Sequence, residues 1–565
     1  MKNFEIRNLK ELVIDKFEEY DEKIAFLEKN KITNKFESIT YKKTKQDILS
    51  LGTVLYSELK LENKKIAVIG ENSYKWFITY MATACGLGVI VPLDKELPKK
   101  EIINLIKRSD SKCIVYSSKK KELINEIKSE LSIDIIYIEM NKSISDNESY
   151  SFNELLNKGY ELINNKVNDY IDLKVKDNDL AILLFTSGTT NIPKGVMLSN
   201  NNIASNVSSA VDRFYNQTKL TFMSVLPMHH TYEFTVGYLC VLLSGGTVGI
   251  CEGLRYISKN LKEIKPDCIN CVPLIVENLK KKIIKGIEEQ NKVSLIKNMI
   301  NITNVLSFTK NYIKRKVFSK IYSNFGGNLK YIMCGAAPLD KETIEFIEGI
   351  GIVVLQGYGL TETSPLISIT PANNRVFGTV GIAMPGVDIR IDLKSDENIG
   401  EIMVKGSNVM LGYYEDLNET DKVIKKGWLY TGDLGYFDKG GNLVISSRLK
   451  NVIITSNGKN VYPEELENLI NKIDLVKESM VYGKKESDGD IKLATKVTLD
   501  EEYIQDKYRD DRPTDTAIYN EIWSKIKEIN KSVISYKIIK DLEIKKDDFE
   551  KTTTMKIKRF VELKK

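Results

Sequence analysis

Leu184-Phe185-Thr186-Ser187-Gly188-Thr189-Thr190-Asn191-Ile192-Pro193-Lys194-Gly195-Val196 is the stretch on which the reading of the chain turns. The apolar run from Leu180 to Phe185 reads as a buried strand, and it stops at a loop of hydroxyls and glycines. Glycine permits torsions and close approaches that other residues do not, so such a loop can turn backbone N–H groups and small hydroxyls toward an anion. Lys194 adds a mobile positive charge suited to phosphate oxygens. No Gly-Lys-Ser/Thr closes the loop, so the Walker A spacing is absent. The competing reading, an ordinary polar loop after a strand, stays open at this point.

Bulk properties narrow the class. A chain of 565 residues holds several structural units, about three or four. Its 83 Lys and Arg against 77 Asp and Glu leave a net charge of +6, too small for this length to argue for nucleic acid. Seven cysteines, scattered from Cys85 to Cys334, form no disulfide framework. Cys268-Ile269-Asn270-Cys271 has ligand-like spacing, but no second pair completes a zinc site, and a strand interior is the better reading. With acidic residues among Met1 to Tyr20, no signal or transit sequence is expected there, and no apolar run has membrane-span length. An intracellular, cytoplasmic protein is expected.

Strands alternate with helices through the first part, which implies a parallel α/β sheet. Leu9 to Tyr20 is helical in pattern; Lys65 to Gly70 is a short strand leaving into Glu71-Asn72-Ser73, a turn that can cap a helix from near Tyr74. A helix over Lys99 to Lys107 precedes a strand over Lys112 to Tyr116. Residues 117–170 are weakly patterned and read as peripheral helices and a connection. Phe222 to Leu226 is a strand ending at Pro227-Met228-His229-His230-Thr231-Tyr232-Glu233, which holds both histidines of the protein. Residues 255–325 are helical and basic. Ile313, Val317 and Ile321 recur at helical spacing there, so a solvated helix with that face in the core is expected, and contact with an anionic membrane surface is the alternative.

Two more strand ends follow. Lys330 to Cys334 runs into Gly335-Ala336-Ala337-Pro338, and Val353 to Leu355 runs into Gln356-Gly357-Tyr358-Gly359-Leu360-Thr361-Glu362-Thr363. In an α/β sheet ligands bind beyond the carboxyl ends of strands. Tyr358 offers a flat face for an adenine ring, Thr361 a hydroxyl to phosphate, and Glu362 a hard oxygen ligand for Mg2+. Residues 386–445 alternate as short antiparallel strands do, giving a small sheet or barrel. Gly427 to Asp433 then fixes a carboxylate in a tight turn, where it can accept both hydroxyls of a ribose. From Asn451 a separate small α+β domain is expected, with Pro463 opening a helix and a basic segment near Lys556.

Thr186 to Val196 resembles the signature loop of the adenylate-forming enzymes, the superfamily of acyl-CoA synthetases, peptide-synthetase adenylation domains and luciferases. Six separated motifs, in order over nearly the whole chain, carry the likeness, which is greatest to the long-chain fatty-acid-CoA ligase group. The resemblance implies an α/β fold: a large N-terminal domain (1–449) of αβαβα-type subdomains plus a small β-barrel-like subdomain, and a small mobile α+β C-terminal domain (450–565). It implies ATP and Mg2+ as cofactors, CoA as co-substrate, and a fatty acid as the acyl donor. Thr186, Ser187, Gly188, Thr189, Thr190, Lys194, Gly335, Ala336, Gly357, Tyr358, Gly359, Thr361, Asp433 and Arg448 match the ATP site. Thr186 and Glu362 match the metal site. Lys556, Glu362 and His230 match the catalytic positions, Lys450 the hinge, and Gly458 with Lys459 the CoA contact. Departures are Asn191, Ser447 and Met555 for the usual glycines and Asn451 for the usual aspartate. The alternatives are a ligase that loads a carrier protein by the same adenylation chemistry and a non-catalytic acyl-nucleotide-binding protein.

Overall fold

A computed structural model describes residues 4–131, 134–186, 193–215, 219–288, 296, 298–300, 311–393, 398–455, 459–485, 491–509, 511–552 and 556–564. The chain divides into two compact units, the first of residues 1–389 and 404–429, the second of 390–403 and 430–565. The division falls within a five-stranded sheet built from Val387–Asp392, Gly400–Gly406, Ile424–Lys425, Trp428–Phe437 and Leu443–Arg448, in which Ile424–Lys425 and Leu443–Arg448 each pair antiparallel with Trp428–Phe437.

The first unit holds two large sheets. In the eight-stranded one, Lys64–Ile69 lies between Gly88–Leu93 and Ser111–Tyr116, parallel to both, as the alternating pattern requires. Leu180–Thr186 runs parallel to Gly88–Leu93, and Lys194–Ser199 returns antiparallel with Thr186 opposite Lys194. Leu180–Thr186 is thus followed in sequence by an antiparallel strand, whereas a Walker strand is followed by a helix. Weakly patterned residues 117–170 add two short strands, Ile136–Glu139 and Tyr150–Ser151, at the far edge of this sheet.

The nine-stranded sheet places Val353–Gly359, Tyr331–Cys334, Cys268–Cys271 and Thr221–Ser224 side by side and parallel. Their carboxyl ends therefore open at one edge, which brings the loops after Cys334, Gly359 and Ser224 together although more than a hundred residues separate the first and last; the strand expected to stop at Leu355 runs on through Tyr358. Cys268 and Cys271 are buried strand residues, as their apolar neighbours imply.

Local chemistry explains the elements that frame this edge. Ser73 caps the helix Tyr74–Ala82 by accepting from the Trp76 N–H. That helix packs Trp76, Phe77 and Tyr80 against Phe234 and Tyr238 of the helical segment Tyr232–Leu239, with Tyr80 and Phe234 ring centroids 3.9 Å apart. Each such buried side chain contributes about 1.5–3 kcal/mol, enough to anchor the segment that follows the histidines.

One expectation fails in the basic region. Ile313 and Val317 are 43% and 38% exposed, while Phe318, Tyr322 and Phe325 are buried. The helix Asn311–Val317 ends at Phe318, whose φ of −98° and ψ of 25° are not helical, before Ser319–Ser323 resumes. The break turns the face, so residues 313, 317 and 321 do not form one core stripe.

The second unit has a three-stranded sheet in which Ile491–Leu499 pairs antiparallel with Val476–Lys485 and parallel with Ile539–Lys545. Pro463 stands in the first turn of Pro463–Ile470. In Asp515–Ser532, buried Ile518, Ile522 and Ile526 recur every four residues and face the sheet core with Leu466, Val481 and Leu493. Among the described residues no helix is long and apolar enough to cross a membrane.

Candidate active site

Thr186 closes its strand, half-buried, and Lys194 opens the return strand. Ser187, Gly188, Thr189 and Thr190 lie outside the described residues. The Lys194 ammonium donates to Glu419 Oε2 at 2.6 Å and stands 4.7 Å from the centroid of the Tyr413 ring. Tyr413 in turn donates its hydroxyl to Glu362 Oε1 at 3.0 Å. One tyrosine therefore joins the lysine of the opening loop to the carboxylate expected to bind metal.

The strap that supplies Tyr413 is fixed by backbone pairing on both sides. Met410 N–H donates to the Glu362 carbonyl at 2.9 Å, Leu411 N–H to Met197 at 2.9 Å, and Tyr414 N–H to Gly195 at 2.7 Å. Asn408 donates to the carbonyls of Thr363 and Leu366. Asp416 caps the short helix Leu417–Val423, placing Glu419 in its first turn. The Lys194 hydrogen bond, with help from Lys422, pulls the Glu419 carboxyl down to about 2. On the other flank Arg108 donates to the Pro193 carbonyl and lies over the Phe185 ring at 5.6 Å.

Tyr358 is buried in its strand between Gly357 and Gly359. A Cβ on Gly359 would meet the Pro365 carbonyl oxygen at 1.9 Å, so only glycine allows the strand to turn into the loop there. Thr361 and Glu362 begin the turn Thr361–Thr363, and the Thr363 hydroxyl closes it by donating to Pro365 O at 2.6 Å. Beside it, Gly335 ends its strand against Tyr232, and Ala336 holds φ of +73°. Left-handed torsion at alanine costs about 1 kcal/mol or more and clusters at functional sites.

The histidine loop is held by Asn72, which donates to the Leu226 carbonyl at 2.7 Å and accepts from the Met228 N–H at 3.0 Å. His230 is half-buried at the start of the helical segment, its carbonyl accepting from Phe234. His229 faces inward, 3.7 Å from Asp94, and burial, with Lys95 nearby, pushes its pKa down to about 3. His229 is therefore neutral. Glu233 is fully buried, accepting from Val225 N–H at 3.0 Å and Asn270 Nδ2 at 3.1 Å. Burial pushes its carboxyl up to about 8, so it carries a proton at neutral pH.

In the second unit Asp433 and Arg448 are opposite partners on paired strands, with Arg448 Nε 2.9 Å from Asp433 Oδ1. Gly432 has φ of +71°, the left-handed turn that glycine favours, and its N–H donates to Glu401 at 2.9 Å. Asp433 is buried and Arg448 exposed, so the pair presents the guanidinium outward. Lys556 keeps accessible surface but lies among enough protein that its ammonium falls to about 8; Arg448 adds to the depression and Asp433 opposes it. The three residues thus share one electrostatic environment.

Lys450 is exposed in the turn Leu449–Asn451. Its flanks converge on one carboxylate: the Ser447 hydroxyl donates to Glu464 Oε2 at 2.6 Å and Asn451 Nδ2 to Glu464 Oε1 at 2.8 Å. Gly458 lies outside the described residues, while Lys459 is exposed and its N–H donates to Thr455 Oγ1 at 3.1 Å.

Tyr413, Glu419, Arg108, Asn72 and Glu233 escaped the sequence reading. Glu233 carried a signal as a carboxylate before an apolar helix, and Asn72 stood in a turn read only for its helix cap. The others act through partners more than fifty residues away in sequence.

Residues 15–414 match the family described as AMP-binding enzyme, and residues 450–564 match the AMP-binding enzyme C-terminal domain. The chain is 28% identical over 483 residues to long chain acyl-CoA synthetase 4 of Arabidopsis thaliana, covering 79% of this chain and 71% of that protein. It is 26% identical over 515 residues to the chloroplastic long-chain-fatty-acid–[acyl-carrier-protein] ligase of the same plant, covering 79% and 70%. The crystal structure of ATP-bound MatB from Rhodopseudomonas palustris superposes with a TM-score of 0.76 at 24% identity, covering 98% of each chain.

Proposed function

The chain belongs to the AMP-binding enzyme family, and we propose that it is an AMP-forming ligase that activates a medium- to long-chain fatty acid and passes the acyl group to CoA. The observation that carries this reading is the bridge from Lys194 through Tyr413 to Glu362, which joins a cation to a carboxylate, the pair of charges a metal–triphosphate needs. Likeness to an acyl-CoA synthetase supports CoA as acceptor. Likeness to a carrier-protein ligase makes a phosphopantetheine thiol the second reading.

A carboxylate acylates poorly because its leaving group is oxide. Attack of a fatty-acid carboxylate oxygen on the α-phosphorus of ATP forms an acyl–O–P bond, breaks the bond to the β-phosphate and releases pyrophosphate. Two anions meet in that step, so fixed donors and cations are needed; one oxyanion donor is worth about 2.7–4 kcal/mol. Lys556 serves the α-phosphate, Lys194 and the Thr186–Thr190 loop hold the departing phosphates, and Asp433 with Arg448 receives the ribose. Gly335, Ala336, Gly357, Tyr358 and Gly359 receive the base, and Thr361 binds phosphate. His230 lies by the acyl carboxylate.

Among the described residues no group of three or more ligating side chains converges, and Glu362 alone fits Mg2+, which takes one or two protein carboxylates and the rest from phosphate and water. Glu362, with Thr186 as the second expected ligand, would hold Mg2+, which would supply charge neutralisation on the phosphates. In the second half-reaction the thiol sulfur attacks the acyl carbonyl, loses its proton, and AMP departs with the C–O electrons. Residues 1–449 and 450–565 act as the two domains, with Lys450 as pivot and Gly458–Lys459 toward CoA. The start of the C-terminal family match at residue 450 supports that boundary. Action in the cytoplasm, with or without peripheral membrane contact, is part of the same proposal.

The test is purified protein with ATP, Mg2+ and fatty acids of graded length, offered CoA or a phosphopantetheinylated carrier protein. Acyl-CoA formation with a fatty-acid optimum is expected. Acylation of the carrier alone favours the second reading, and no carboxylate-dependent pyrophosphate release contradicts both.

A further inference from the structure

Lys194 is given above the task of holding phosphates, yet its ammonium is committed to a carboxylate. Glu419 Oε2 lies 2.6 Å away, on a residue 225 positions along the chain. The pair is partly exposed, 22% at the lysine and 28% at the glutamate, so an incoming anion can reach it.

Three features make this contact suited to exchange. The Tyr413 ring under the ammonium, 4.7 Å from its centroid, keeps the lysine beside Glu362 whichever anion it binds. Glu419 is also bonded through its other oxygen to Lys422, so it keeps a counter-ion when Lys194 moves away. The carboxylate itself does not move freely, because Asp416 caps its helix and the Thr420 hydroxyl accepts from the Tyr413 N–H at 2.8 Å. A lysine is a compact charge on a flexible stem with three donors, so it can leave one carboxylate for a polyphosphate of higher charge.

We propose that Glu419 is a resident counter-ion that Lys194 exchanges for the terminal phosphates of ATP and that reclaims the lysine as pyrophosphate leaves. Glu419 is then a positioning residue. It weakens the grip on the product and so favours its release, and it holds the lysine in place between turnovers. No covalent bond changes in the exchange. The inference rests on the ligase reading for the identity of the phosphate donor, but the exchange itself concerns any polyphosphate at Lys194.

The experiment is calorimetric titration of the full-length protein with magnesium pyrophosphate, on wild type, Glu419→Gln, Lys194→Met and the double variant, alongside fatty-acid-dependent ATP–pyrophosphate exchange. A partly exposed ion pair is worth enough to change affinity by about two- to fivefold. Glu419→Gln is expected to tighten pyrophosphate by that factor, to lower the KM for ATP in parallel without lowering exchange per bound ATP, and to do almost nothing once Lys194 is methionine. Unchanged or weaker pyrophosphate binding in Glu419→Gln overturns the proposal. Equal tightening in both lysine backgrounds also overturns it, because that is a general charge effect. Coupling between the two residues without any exchange activity in the wild type supports the counter-ion and overturns the ligase reading. Exchange activity without coupling does the reverse.

Discussion

Replacing Tyr413 with phenylalanine removes one oxygen and isolates its bond to Glu362. The ring stays, so the cation–π contact with Lys194 and the buried packing stay with it. The lost contact is a 3.0 Å hydrogen bond to an acceptor carboxylate, a class worth about 1.5–3 kcal/mol when the acceptor is charged. Glu362 is half-buried and keeps solvent, which places the loss at the low end, about 1.5 kcal/mol or roughly tenfold. Outer partners of ligating carboxylates cost 10- to 100-fold in metal affinity or activity when removed, so the two routes agree on about tenfold. The assay is fatty-acid-dependent ATP–pyrophosphate exchange titrated with Mg2+. Tyr413→Phe is expected to raise the half-saturating Mg2+ about tenfold with little change in melting temperature. Tyr413→Ala is expected to lose more, because the ring under Lys194 goes too, for about 0.5–1 kcal/mol further. An unchanged Mg2+ requirement in Tyr413→Phe, with exchange at wild-type rate, refutes the reasoning that Glu362 is the metal ligand oriented by Tyr413.

Three further outcomes follow from the same geometry. The depressed Lys556 ammonium, at about 8, loses its charge as pH rises through that value, so adenylation should fall between about pH 7.5 and 9, and Lys556→Arg, which stays charged, should flatten the profile of whatever activity remains. Glu233 binds its proton up to about pH 8 when folded but only to about 4.5 when unfolded, so the unfolded state holds fewer protons in between and stability declines as pH rises across that window. Glu233→Gln should remove this slope, and its melting temperature relative to wild type should climb from pH 5 to pH 8; a constant difference contradicts the buried neutral acid. Glu464→Ala frees both Ser447 and Asn451; thioester formation should change relative to adenylation if that clasp restrains the Lys450 pivot, and equal change in both half-reactions, measured by acyl-CoA formation and exchange, counts against it.

Much of the fold was legible because its strands announce themselves. Lys64–Ile69, Leu180–Thr186 and Tyr331–Cys334 are apolar runs that stop at glycines or polar turns, and within a parallel sheet such runs send their loops to one edge. The short runs Ile136–Glu139 and Tyr150–Ser151 were missed because two to four residues carry no period; their pairing with a neighbouring strand decides them. Ile313 and Val317 misled because periodicity assumes an unbroken helix, and the break at Phe318 is a tertiary choice that buries Phe318 and Tyr322 instead. In the site, Glu362 could be singled out by chemistry just past a strand end, whereas Asp433, read as part of a tight turn, lies within the strand Trp428–Phe437. Tyr413 and Glu419 could not, since a tyrosine and a glutamate in a polar segment look like solvated surface until the strap laid over Lys194–Ser199 gives them partners.

The most direct test of the central claim is a single turnover with α-labelled ATP, Mg2+ and a fatty acid, with CoA withheld and then added. Labelled acyl-AMP and pyrophosphate should appear in equal amounts before CoA, and the label should move to AMP as acyl-CoA forms. Label released as ADP, or AMP formed without regard to the fatty acid, would contradict it.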